Sequence, residues 1–326
     1  MTTQLFKKFA LLCSCCLLWL GLAGCTTQAI ATDSPSRDAG SYLASWNDTA
    51  TKTAIVEFVE DVTNDESGNF VEAKNRIAVF DNDGTLWGEY PNYFQLDFLI
   101  NHCGVTDGKP ENCSGEETQS YIDAAGNFVK TQNNPEFGRP YVDLIYRPMV
   151  ELLDYLRAND FQVYICSGGE IDFIRGFAEE YYGIPPQNIV GSTLTTTYQS
   201  NPSVLVRADE SVPPPNDQDG KPVGIERYIG KRPILAVGNS DGDLQMLEYT
   251  DEGQDRSLML LLRHDDFDRE GYAEVEDPDE DCAAEGASDG PGTYCHADEA
   301  IAKANSEADW YLISVTNDFD VVFLGD

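Results

Sequence analysis

The sequence predicts an α/β protein organised on a doubly wound, mainly parallel sheet, with a mostly helical segment inserted after the first strand. Three features point there. Apolar runs of strand length recur at residues 77–80, 161–166, 233–237 and 257–263. Stretches with helical spacing lie between them. The first three runs each end in a polar, glycine-containing segment: Asp81-Asn82-Asp83-Gly84-Thr85, Ser167-Gly168-Gly169 and Gly238-Asn239-Ser240-Asp241-Gly242-Asp243. Alternating strands and helices favour parallel pairing through right-handed crossovers, and such sheets bind ligands at the carboxyl ends of their strands.

In chain order, residues 1–24 read as an export signal, with Lys7 and Lys8 ahead of an apolar stretch that ends at Leu22. Leu22-Ala23-Gly24-Cys25 resembles a bacterial lipobox, which implies cleavage before Cys25 and a lipid on its thiol; an ordinary cleaved signal is the alternative. Residues 25–40, rich in Thr, Ala, Ser and Pro, read as a flexible tether. The expected location is exported and lipid-anchored, periplasmic or on the cell surface. No later apolar run reaches the roughly 18 residues that a membrane-spanning helix needs.

The chain's net charge of −36 becomes −38 once Lys7 and Lys8 are removed with the signal. Such a body repels nucleic acid and anionic membrane surfaces, so neither is an expected partner. Five cysteines lie beyond Cys25. In an oxidising compartment Cys103 with Cys113 and Cys282 with Cys295 are the expected disulfides, each closing a Gly-containing loop. Cys166, in an apolar strand, is expected as a buried free thiol. The absence of a CxxC motif beyond the export signal argues against a structural zinc site.

A helix is expected over 42–63, with Ile55, Phe58, Val59 and Val62 on one face. Residues 41–86 and 147–326 are read as the core and 87–146 as the cap, which holds an amphipathic helix over 93–103 and a weaker one over 116–125. A helix over 148–158 has Pro148 in its first turn, where a missing N–H is harmless. Further helices are expected over 171–181 and 221–228 and after Leu244. Residues 187–193 read as a strand and 203–207 as one arm of a hairpin. Residues 274–296 form an acidic, Gly-rich loop, and 311–315 with 320–324 read as a closing hairpin.

Asp81 and Asp83 sit at the lip of the first strand. Crowded carboxylates favour a bound divalent cation or one retained proton, so Asp81 suits a nucleophile and metal ligand and Asp83 a general acid/base. An EF-hand loop counted from Asp81 fails, because Leu86 stands at its sixth position and Asn92 at its twelfth. Ser167-Gly168-Gly169 between a strand and a helix suits a phosphate cradle. Lys221 opens a helix against the dipole, which asks for a reason; Lys231 is the rival lysine.

Taken in order, DNDGT, Ser-Gly-Gly, a lysine and GNSDGD resemble the four motifs of the haloacid dehalogenase superfamily, whose members are mostly magnesium-dependent phosphatases. The resemblance runs from Asp81 to Asp243, about half the chain, and the helical insert resembles the phosphoserine-phosphatase-like branch. It implies a two-step phosphoryl transfer on a small phosphate monoester, with Asp81, Asp83 and Lys221 catalytic. Thr85, Ser167, Gly168 and Lys221 would bind phosphate, and Asp81, Asp83, Asn239 and Asp243 would hold Mg²⁺. Asn239 departs from the pattern, since an Asp is usual there. Glu89, Tyr90, Tyr93 and Gln95 are the cap residues expected to face the organic group. Tyr90 stands where the phosphoserine phosphatases carry a Glu, which leaves serine-phosphate specificity open. His264, at a strand end, is expected as a rim or packing residue. The rival functions are a dehalogenase, against which Asp83 counts, a phosphonate hydrolase, and a non-catalytic ligand-binding lipoprotein of the same fold.

Overall fold

A computed structural model describes residues 39–107, 109–253, 255–274, 293–294 and 297–326. The export signal, Cys25, most of the tether, Cys282 and Cys295 lie outside the described residues.

Six strands form one parallel sheet: β1 (Ile77–Phe80), β2 (Gln162–Glu170), β3 (Ile189–Ser192), β4 (Leu235–Gly238), β5 (Leu258–Arg263) and β6 (Trp310–Ser314). Their order across the sheet is β6-β5-β4-β1-β2-β3, every pairing parallel. The expected doubly wound fold is therefore present. The chain moves outward one way from β1 to β3 and the other way from β4 to β6, so the order reverses between β1 and β4. A crevice opens at that switch point, outside the strands' carboxyl ends.

Strand periodicity explains why both faces are covered. Ala78 and Phe80 join one core cluster with Leu258, Leu260 and Leu262, while Ile77 and Val79 join the other with Met259 and Leu261. Helices α1 (Ala50–Thr63) and α4 (Arg147–Ala158) press Phe58, Val59, Leu152 and Leu153 into the first cluster. Helices α7 (Gly220–Tyr228) and α8 (Leu244–Asp251) press Ile225, Met246 and Leu247 into the second.

Between β1 and α4 lie α2 (Phe94–His102) and α3 (Thr118–Thr131), with a disulfide joining Cys103 to Cys113. Between β2 and β3 come the short helices α5 (Ile171–Arg175) and α6 (Ala178–Tyr182). Two glycines bring α3 against the turn after α5. A Cβ on Gly126 would lie 2.3 Å from the Gly176 carbonyl oxygen, and one on Gly176 would lie 2.7 Å from the Gly126 nitrogen. Backbone meets backbone there, which only glycine permits.

A second junction rests on charge. Residues Leu194–Ser200 and Ser203–Ser211 form an antiparallel hairpin that carries Arg207. The Arg207 guanidinium is buried, pairs with Glu170 and Asp172, and donates to the Asn112 carbonyl at 3.0 Å. It also lies 3.5 Å from the ring centroid of Tyr121, whose hydroxyl donates to Glu170 Oε2 at 2.9 Å. One cation thus ties the hairpin, the end of β2 and α3 together.

Two expectations need correction. The first long helix begins at Ala50 and not at Tyr42, because the Thr49 hydroxyl caps it by accepting from the Lys52 amide. The C-terminal segment is not a hairpin. Residues 310–314 form the edge strand β6, parallel to β5. Ser314 then caps a helical turn, Val315–Asp318, and Val322 and Phe323 pack into the core without forming a strand.

Candidate active site

At the crevice between β1 and β4 a cavity of about 360 Å³ gathers residues from five parts of the chain. β1 ends at Phe80, and Asp81 still donates its amide to the Val237 carbonyl of β4 at 2.9 Å. The chain then turns. The Asn82 carbonyl accepts from the amides of Thr85 and Leu86, and Gly84 takes φ +72°, a left-handed conformation natural to glycine. Strand end and turn together direct Asp81 and Asp83 into the cavity.

Asp81 is 6% exposed, and its Oδ1 accepts from Lys221 Nζ at 2.7 Å. The same ammonium group pairs with Asp243 Oδ1, and Lys221 is buried at the start of α7. The lysine against the helix dipole thus finds its reason in two carboxylates. Lys231, the rival, is exposed and bonds the Lys74 carbonyl instead. Burial pushes the Asp81 carboxyl up, while the Lys221 charge pulls it back and Asp243 and Asp83 add to the rise. Burial works against the Lys221 charge, yet Asp243 and Asp81 win and hold its pKa above the ordinary value.

Asp83 is held by Trp87, whose indole N–H donates to Oδ1 at 2.7 Å. Burial also pushes Asp83 up. Its other oxygen faces Gly169. The point a Cβ would occupy on Gly169 lies 3.3 Å from each of Asp83 Oδ2, Gln95 Oε1 and Ser167 Oγ. Glycine at 169 leaves that meeting place open. Ser167 and its glycines line the cavity because β2 bulges there: Ser167 pairs with Gly191, and the next paired residue is Glu170, opposite Ser192. The expected turn is a bulged strand end, with the Ser167 hydroxyl accepting from the Gly169 amide at 3.0 Å.

Asp81, Asp83, Ser167, Gly168, Lys221, Glu89, Tyr93 and Gln95 all line the cavity, as do Leu96 and Leu99 of α2 and Asp217 and Ser240. Four expected site residues are placed otherwise. Thr85 is fully buried, and its hydroxyl donates to Asn239 Oδ1 at 2.9 Å, so it orients Asn239 and does not reach the cavity. Asn239 accepts that bond through Oδ1, and its Nδ2 lies 3.5 Å from His264 Nε2. Asp243 has Oδ1 on Lys221, while its Oδ2 accepts from the amides of Asn239 and Ser240 at 3.0 and 3.1 Å. Tyr90 stacks on Tyr272, with ring centroids 5.7 Å apart. His264 is the packing residue of the two alternatives, buried with its Nδ1 2.8 Å from Glu270 Oε1. Cys166 is a buried free thiol, as expected, with its pKa pushed up to about 12 by burial.

Trp87, Gly169, Asp217 and Glu270 are not legible as site residues in the sequence. Trp87 follows Asp83 by four residues, which was its one signal; Asp217 had none.

Whether Mg²⁺ suits this donor set divides by residue. Asp81 and Asp83 fit, since both line the cavity: Asp81 Oδ1 has a lone pair left beside its bond from Lys221, and Asp83 can offer its backbone carbonyl while its carboxyl keeps a proton. Asp243 fits less well, since Oδ1 is on Lys221 and Oδ2 on two amides, while Asn239 Oδ1 has accepted one bond, from Thr85, and has a second lone pair left. Among the described residues the one His, Cys or carboxylate trio with ligand atoms within 4.8 Å of one another is His102, Cys113 and Glu116, and there the disulfide has consumed the Cys113 thiolate.

The four sequence motifs thus meet at one crevice of a doubly wound sheet. No family model and no curated protein matches the chain. Among solved structures, a conserved protein of unknown function from Anaerococcus prevotii aligns with TM-score 0.48 and 15% identity, over 80% of this chain and 91% of that one. A phosphoserine phosphohydrolase-like protein from Francisella tularensis aligns with TM-score 0.36 and 17% identity, over 57% and 87% of the two chains. Cytosolic 5'-nucleotidase IIIB bound to cytidine aligns with TM-score 0.37 and 11% identity, over 67% and 79%. At such TM-scores none of them carries chemistry over to this chain.

Proposed function

We propose that the protein is a phosphomonoester hydrolase that uses Asp81 as its nucleophile and Mg²⁺ as its cofactor, with residues 87–146 as its cap. The observation that carries this reading is the pairing of Asp81 with the buried Lys221 ammonium at 2.7 Å, in a cavity that Asp83 and Ser167 share. Lys221 fixes Asp81 Oδ1 and leaves Oδ2 to attack phosphorus in line. The bond from phosphorus to the ester oxygen breaks, and Asp83, whose raised pKa favours its protonated form, gives the leaving oxygen its proton. Asp83 then takes a proton from the water that attacks the aspartyl-phosphate, which frees inorganic phosphate and restores Asp81. Trp87 keeps Asp83 in one orientation through both steps, and Ser167 and Lys221 steady the phosphoryl oxygens. Asp81, through Oδ1, and the Asp83 backbone carbonyl would hold the Mg²⁺, which neutralises phosphoryl charge when bound. The expected substrate is a small phosphate ester. Export and a lipid on Cys25 belong to the same proposal, and the mass of the mature N-terminal peptide tests them.

The test is release of phosphate from an aryl phosphate by protein beginning at residue 26, with Mg²⁺ and with chelator. Asp81→Asn is expected to lower turnover at least about a thousandfold while the protein melts as the parent does. Turnover retained by that variant refutes the assignment. A folded parent that binds ligands and releases no phosphate favours the non-catalytic alternative.

A further inference from the structure

Away from the crevice, α2 ends in a second group of metal-binding side chains. His102 closes the helix, Cys103 follows it, and the disulfide leads across to Cys113. His102 Nε2 lies 3.2 Å from both carboxylate oxygens of Glu116. The ligand atoms of His102, Cys113 and Glu116 all fall within 4.8 Å of one another, and Cys103 Sγ is bonded to that of Cys113. All four side chains line a surface cavity of about 600 Å³, and His102 is exposed. The cross-link is not all that gathers them. Between the cysteines the Glu111 amide donates to the Gly104 carbonyl at 2.9 Å, and Val105 and Thr106 pair with Pro110 and Lys109. Beyond Cys113 the Gly115 amide donates to the Arg207 carbonyl and the Arg207 amide to the Glu116 carbonyl, each at 2.9 Å, while the buried Arg207 guanidinium holds the Asn112 carbonyl. The His102 ring stacks on Phe98 with centroids 5.0 Å apart. Opening the S–S bond therefore leaves two thiols, an imidazole and a carboxylate around one cavity, on a backbone still tied on both sides.

We propose that the link between Cys103 and Cys113 is exchangeable: once it is reduced, the two thiolates bind one Zn²⁺ together with His102 and Glu116, and the ion takes over the cross-link between α2 and the loop over 112–116. A dithiol supplies the electrons. Its thiolate attacks one sulfur of the disulfide and the S–S bond breaks. Its second thiol then displaces the protein from the mixed disulfide, so the dithiol leaves oxidised and Cys103 and Cys113 hold the two protons it gave up. Zn²⁺ binding releases both protons to water. Two sulfurs, one nitrogen and one oxygen make a tetrahedral donor set of the kind Zn²⁺ takes. Zinc–ligand bonds of about 2.0–2.3 Å put neighbouring donors about 3.3–3.8 Å apart, so the sulfurs part and the remaining donors draw in slightly.

The test uses protein beginning at residue 26 with Cys282→Ser and Cys295→Ser, so that the thiols opened by reduction are those of Cys103 and Cys113. The protein is reduced with a dithiol, freed of it without air, and titrated with Co²⁺, whose sulfur-to-metal charge-transfer absorption reports thiolate ligands. The reduced protein is expected to bind one Co²⁺ with that absorption and to lose it to Zn²⁺; the oxidised protein is expected to show none. His102→Ala and Glu116→Ala should each weaken binding at least about tenfold, the least that even an outer-shell partner of a metal is worth. Glu111→Gln, a carboxylate of the same cavity, should change it less than threefold. Zn²⁺ should also raise the melting temperature of the reduced protein and leave that of the oxidised protein unmoved. A reduced protein that binds no ion overturns the proposal, as does one that unfolds and does not refold with Zn²⁺. Affinity untouched in both His102→Ala and Glu116→Ala overturns it too, since a bare dithiol would then hold the ion, and an equal loss in Glu111→Gln would reduce the effect to the general field of the cavity.

Discussion

Two buried charge clusters stand close together in this molecule, and they differ in what they leave open. Around Arg207, one guanidinium meets Glu170 and Asp172, with Tyr121 and the Asn112 carbonyl completing its surroundings. Around Lys221, one ammonium meets Asp81 and Asp243 while Asp83 and Glu89 look into the same cavity. Both clusters are buried and both contain a cation between two acids. The first closes on itself and joins three segments. The second has more carboxylates than cations and an opening through which something else can balance them. Burial of charge is thus a poor marker of chemistry by itself, and the surplus facing a cavity is a better one.

The sharpest way to break this comparison is Lys221→Met. It strands Asp81 and Asp243 in the interior, and a loss of about 3–5 kcal/mol in unfolding free energy is expected together with loss of turnover. Urea unfolding and phosphate release read the two effects; a variant that stays as stable and active as the parent would erase the distinction. Arg207→Met should cost less, about 2–3 kcal/mol, because Glu170 keeps the Tyr121 hydroxyl and Asp172 keeps Arg175 at 3.1 Å. Turnover per folded molecule should hold within a fewfold, so a large drop in rate at low temperature would mean that this cluster also serves the site. The effect that depends most on pH is expected at Glu89, whose pKa rises from 4.5 to about 7, through burial first, with His264 pulling it back and the charges of Asp83, Asp243 and Glu270 adding to the rise. The folded protein then binds more protons than the unfolded chain between those values, so this group's contribution falls as pH rises through that window. Without divalent cations, Glu89→Gln should match the parent at pH 4 and exceed it by about 3 kcal/mol at pH 8. Melting curves that stay parallel across that range would show Glu89 to be balanced already.

How much of this was legible in the sequence depends on how locally each feature is encoded. The strand before Asp81, the glycine turn after Asp83 and the strand before Gly238 are written in neighbouring residues, and the sheet and the meeting of its motifs follow from them. The register shift at Ser167–Glu170 is not, because it depends on how β3 pairs with β2. The direction of Asn239 depends on a hydroxyl 154 positions earlier in the chain. Arg207 looked like one more residue of a hairpin, and only packing reveals what it joins. The C-terminal segment was misread for the same reason: alternation can show that 310–314 is extended, but not that its partner is β5 and not the residues that follow.

The glycine contact between α3 and the turn after α5 bears on how molecules enter and leave. Backbones that touch through Gly126 and Gly176 have no side chains between them to slide or swing, so this flank of the inserted segment behaves as masonry. Any breathing of the mouth then falls to the opposite flank, around Tyr93 and α2, where side chains alone form the rim.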